Sequence, residues 1–137
     1  MKESFILVDT SVWIDVFHKS CDEKLKTSME TLLLEQKVAT TALIKLELLS
    51  GALNQGEFNH LKEELDALRE LQFTAEIWES ASQTGFLLRR KGITIPHADL
   101  LLASTCHFYQ CPLWHQDKHF DLIAKHSSLA IFSLNRE

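Results

Sequence analysis

At 137 residues, with 45% hydrophobic and 24% charged residues, the chain has the composition of one globular domain rather than a disordered polymer. No apolar run approaches the ~20 residues of a membrane-spanning helix, and MKESFILVDT holds only a short apolar stretch broken by Asp9, which excludes a signal peptide and points to the cytoplasm. A formal charge of −5 argues against a nucleic-acid partner only if none of the carboxylates is neutralised by a bound cation.

In chain order, the apolar run at 5–8 predicts a strand buried on both faces. A short helix follows over 11–18 and a longer one over 22–36, then a minimal strand at Val38-Ala39-Thr40. Residues 41–50 read as a helix stopped near Gly51. Residues 57–70 read as an amphipathic helix with Leu61, Leu65 and Leu68 on one stripe. A third strand is expected at Leu71-Gln72-Phe73 and a helix over 75–91 ending at Gly92. Pro96 suits the opening turn of a helix running to Tyr109. A strand at 113–115, a helix over 117–125 and a last strand at 129–132 complete the series. Strand and helix alternate throughout, which predicts a single α/β domain over 1–137 with a mostly parallel sheet flanked by helices.

Cysteines 21, 106 and 111 are an odd, widely spaced set, expected as reduced thiols. A zinc site from Cys106, His107, Cys111 and His115 lacks the close cysteine pairs of such sites. Trp13 and Phe17, with Leu32 and Leu33, are more apolar groups than a small helical layer needs and predict a docking surface. For any one of them, an ordinary core role serves as well.

The informative residues are acids. Asp9 and Asp117 each stand just past a predicted strand at the start of a helix. Each suits a helix cap. Each equally suits a ligand position, because the carboxyl edge of a parallel sheet is where ligands collect. Glu47 projects between Leu43 and Ile44, which places a carboxylate on an apolar side of its helix unless that side is a solvent edge. Asp99 lies on an enclosed helix, on one stripe with the small residues Ala103 and Cys106. Such clustered oxygen donors select Mg²⁺ or Mn²⁺. Setting these four acids aside leaves 15 acids against 14 basic residues, so net charge excludes no partner. No phosphate-binding glycine loop and no nucleophile elbow is present, and Ser11 suits a cap.

Four segments in this order, VDTSVWI, LELLSG, LLRRKGITIPHADLLLAS and LWHQDKHFDLIA, resemble the conserved blocks of PIN-domain ribonucleases, above all the VapC toxins of bacterial toxin–antitoxin pairs. The resemblance covers about residues 5–132. It implies an α/β/α sandwich with a short, mostly parallel sheet, and metal-dependent cleavage of structured RNA such as tRNA or rRNA. It also implies a homodimer and a cognate antitoxin. The family's four acids fall on Asp9, Glu47, Asp99 and Asp117, as catalytic groups and ligands of Mg²⁺ or Mn²⁺. Ser11 matches the small polar residue that supports the site. Where some relatives carry a further aspartate this chain has His119, which puts the second metal position in question. A PIN-like nuclease of RNA processing or repair, or a silent PIN-like binding module, are the alternatives.

Overall fold

Ile6–Val8 form β1, the middle strand of the sheet, with Leu7 and Val8 fully buried. The computed structural model describes residues 4–126 and the backbone of residues 131–132. Asp9 ends β1 and caps α1 (Thr10–Phe17), accepting from the Ser11 N–H. Asp22 does the same for α2 (Glu23–Leu34), and β2 (Val38–Thr40) follows, buried along its length. Thr41 caps α3 (Ala42–Ser50) and Asn54 caps α4 (Gln55–Asp66), each side chain accepting from a free N–H of the first turn.

Beyond β3 (Arg69–Glu70), Thr74 caps α5 (Ala75–Arg90). Gly92, at φ +79°, turns the chain after this helix in a conformation that suits glycine. Then come α6 (His97–Tyr109), β4 (Leu113–Trp114), α7 (Lys118–Lys125) and β5 (Ile131–Phe132). The strands lie in the order β3-β2-β1-β4-β5, with every neighbouring pair parallel.

That order reverses at β1: the chain builds outward through β2 and β3, then crosses to β4 on the other side. Leu7 pairs with Leu113 and Val8 with Trp114, so the carboxyl ends of β1 and β4 open side by side. The expectation of a helix-flanked parallel sheet is met. Ile44, Leu65, Leu102, Trp114, Phe120 and Ile123 fill the core at 2% exposure or less. Leu100 to Cys106 are all buried, so α6 is enclosed, as its run of leucines implied. Gly85 of α5 permits this closeness, since a Cβ there would lie 2.8 Å from Leu100 Cδ1. Among the described residues no helix is long and apolar enough to cross a membrane.

The expectations for the helix at 57–70, the strand at 71–73 and the docking surface need correction. The helix predicted over 57–70 ends at Asp66, and the third strand is Arg69–Glu70 rather than Leu71–Phe73. Leu71 still donates to Thr40 O at 2.8 Å, but the strand itself is an edge strand, where charged side chains are at home. Lys45 Nζ fixes it, 2.6 Å from Asp66 Oδ1 and 2.9 Å from Glu70 Oε1. The last strand covers Ile131–Phe132, and the first two residues of its predicted span, Leu129 and Ala130, lie outside the described residues. Trp13 belongs to the core and Leu32 and Leu33 pack partly against it, which leaves Phe17 alone of that group exposed.

Candidate active site

The reversal of strand order between β1 and β4 marks the crevice position of an open parallel sheet, outside the carboxyl ends of these two strands. Asp9 stands at one lip and Asp117 at the other. Both cap helices, as the simpler reading had it. Capping occupies only part of a carboxylate, which offers about four lone-pair positions.

Asp9 is buried, and its Oδ2 accepts from the Ser11 N–H at 3.0 Å and the Ser11 hydroxyl at 2.6 Å. Ser11 Oγ in turn accepts from the Gln116 N–H at 3.0 Å, across 105 residues of sequence. One small hydroxyl thus ties the end of β1 to the loop after β4 and fixes the Asp9 carboxylate. Asp117 Oδ1 accepts from the His119 N–H at 2.9 Å. His115 braces the same loop: its Nδ1 accepts from the Asp117 N–H at 3.0 Å, and its ring packs 5.1 Å from Phe120.

Asp99, in the first turn of α6, faces this loop. The His119 imidazole lies between the two acids, Nδ1 being 3.0 Å from Asp99 Oδ2 and 3.2 Å from Asp117 Oδ1. One donor atom from each of Asp99, Asp117 and His119 falls within 4.8 Å of the other two. Ligands that share a small divalent cation sit about 3 Å apart, from bonds of roughly 2.0–2.2 Å, and the 3.0 and 3.2 Å spacings from His119 Nδ1 to the two acids match that.

The electrostatics agree with that fit. Burial, then the negative charges of Asp117 and Asp9, push the Asp99 carboxyl up to about 6, against the opposing hydrogen bond and charge of His119. A cation among these groups would relieve the strain that holds this proton. The folded value lies above the unfolded value of 3.8, so the stability that Asp99 contributes is full below about pH 4 and is lost as pH rises through about 6. In chelator at pH 7.5, Asp99→Asn is therefore expected to melt above wild type, with the gap closing towards pH 4. Melting curves that stay parallel across this range would contradict the assignment.

Glu47 departs from expectation. It is exposed, because the buried stripe of the short helix α3 runs through Ile44 and Leu48 and leaves Glu47 at the stripe's solvent edge. Its Oε1 accepts from Thr10 Oγ1 at 2.7 Å, which places it at the rim of the crevice beside Asp9 rather than inside it. Asp9, Ser11, Asp99, Asp117 and His119 converge. Sequence reasoning gave His119 a supporting place but missed its bond to Asp99, which spans 20 residues and two helices.

Residues 6–126 match the family model described as PIN domain, and the chain belongs to that family. Within it, the chain is similar to ribonuclease VapC11 of Mycobacterium tuberculosis, at 29% identity over 90% of this chain and 95% of the relative. Among solved structures it resembles VapBC2 from Rickettsia felis, bound to a DNA fragment from its promoter, with a TM-score of 0.76 and 19% identity over 93% of this chain and 97% of the other. It also resembles VapC20 of Mycobacterium tuberculosis, described as a sarcin–ricin loop cleaving toxin, with a TM-score of 0.61 and 19% identity over 85% and 93%.

Proposed function

We propose that this chain is a metal-dependent endoribonuclease toxin that cleaves structured RNA, tRNA or rRNA, in the cytoplasm and is neutralised by a cognate antitoxin. The observation that carries this reading is the convergence of Asp99, Asp117 and His119 beside Asp9 at the switch point of a PIN-domain sheet. The names of the relatives support the toxin reading, and the acids support the chemistry.

Asp9, Asp99 and Asp117 would hold Mg²⁺ or Mn²⁺, with Glu47 at the rim. A divalent cation in such a site activates water and neutralises charge that develops on a phosphodiester. The chain's own residues do the rest. Ser11 holds the Asp9 carboxylate in one orientation. The first turns of α6 and α7 bring the positive ends of two helix dipoles towards Asp99 and Asp117, which favours an incoming phosphate. A carboxylate only accepts, so with Asp99 ionised the hydrogen of the Asp99–His119 pair sits on Nδ1. For Nδ1 itself to serve as a ligand, that hydrogen is lost or moves to Nε2.

Partners need surface. The large exposed apolar side chains include Ile14, Phe17 and Leu34 on or beside α1 and α2, and Trp78, Phe86 and Leu87 on α5. The first group suits the antitoxin and the second a further copy of this chain, giving a homodimer.

Brief induction in cells followed by sequencing of RNA ends tests the reading. New ends at a few discrete positions in tRNA or rRNA are expected, and co-expression of an antitoxin encoded beside the gene should suppress them. A transcriptome without new ends would overturn it.

A further inference from the structure

We propose that His119 is itself a metal ligand, and that with Asp99 and Asp117 it forms a mixed nitrogen–oxygen site that favours Mn²⁺, and nitrogen-preferring ions such as Co²⁺, over Mg²⁺. The proposal rests on the metal-dependent reading above and adds to it the identity of a ligand and the ion it selects.

The geometry points to His119 in three ways. Its Nδ1 lies within 3.2 Å of an oxygen of each acid, the spacing of neighbouring donors around one shared cation. Its main-chain N–H is bonded to Asp117 Oδ1 at 2.9 Å, so the first turn of α7 sets imidazole and carboxylate in fixed relation. The ring is only partly exposed, its side chain at 34%, which limits the positions it can swing to. His115 differs: it is 5% exposed, its Nδ1 is taken by the Asp117 N–H, and its Nε2 faces Asp121 Oδ1 at 3.4 Å. It is a brace, and His119 is the ligand.

The choice of ion follows from ligand chemistry. Mg²⁺ prefers hard, charged oxygen and sheds water reluctantly, whereas imidazole suits first-row transition metals in the order Mn²⁺ below Co²⁺. An imidazole here replaces the negative charge that an aspartate would bring. The loss weakens Mg²⁺ binding more than Mn²⁺ or Co²⁺ binding, because only the latter gain from the nitrogen.

The full chain is titrated by calorimetry with Mg²⁺ and with Mn²⁺, without RNA and at a pH above the imidazole range. Bound Co²⁺ is followed by its visible absorption, and bound Mn²⁺ by pulsed EPR for modulation from an imidazole nitrogen. Wild type is expected to show that modulation and to prefer Mn²⁺. In His119→Asp the ratio of Mn²⁺ to Mg²⁺ affinity should fall about tenfold or more. His119→Gln should lose the nitrogen signal and shift the Co²⁺ spectrum, and circular dichroism confirms that each variant is folded. The wild-type EPR signal decides the point even if a variant fails to fold. Cation binding without nitrogen modulation, or with an affinity ratio unchanged in the variants, overturns this inference and leaves the nuclease reading standing. A wild-type chain that binds no divalent cation overturns both.

Discussion

Replacing Asp99 by Asn is expected to lower RNA cleavage by more than about 100-fold while the protein stays folded. Residues that only orient a metal ligand typically contribute about 10–100-fold to affinity or activity. In the proposed function Asp99 is the ligand itself; its side chain is 15% exposed, against His119 and within the field of Asp9 and Asp117. Asparagine keeps the shape and one acceptor but removes the charge that would hold a cation. Its position in the first turn of α6 offers a simpler role, favourable interaction with the helix dipole, whose loss would cost only ~0.3–1 kcal/mol and no activity. Initial rates on purified RNA separate the two roles. Near wild-type cleavage by the folded variant would reduce Asp99 to a helix-end charge.

Phe120→Ala should have the largest effect on stability, about 3–5 kcal/mol by the usual cost of emptying a buried aromatic site. Phe120 is fully buried on α7, next to His119 and three residues after Asp117, and its ring packs against His115. For a domain of this size that loss lowers the melting temperature by roughly 10–20 °C. Metal affinity should fall as well, because the cavity frees the turn that holds Asp117 and His119 in register. The two variants thus differ in kind: Asp99→Asn loses chemistry and keeps its fold, and Phe120→Ala loses both together. Urea unfolding curves measure the difference, and a loss below about 1 kcal/mol would show that the loop holds its shape without this anchor.

Much of this arrangement was legible in the residues. Asp9 and Asp117 stood out because each ends a strand and opens a helix, and a parallel sheet turns that local pattern into one shared edge. Asp99 stood out because three leucines in succession imply a helix enclosed on several sides. The misreadings have physical causes. The strand at Arg69–Glu70 is charged, and an edge strand paired on one side escapes a search for apolar runs. Glu47 lies one position from Leu48 and three from Ile44, too close to the boundary of a nine-residue helix for periodicity to decide its face. Trp13 is drawn into the core at 5% exposure, although its helix also leaves Ile14 and Phe17 in solvent. The bridge from His119 to Asp99 depends on how α6 and α7 meet, and no local pattern records that meeting.

Cleavage of purified tRNA and rRNA by the wild-type chain, first in chelator and then with Mn²⁺ restored, tests the central claim most directly. A metal-dependent nuclease built on Asp9, Asp99 and Asp117 yields discrete fragments only after Mn²⁺ returns. The same fragments appearing in chelator would contradict it.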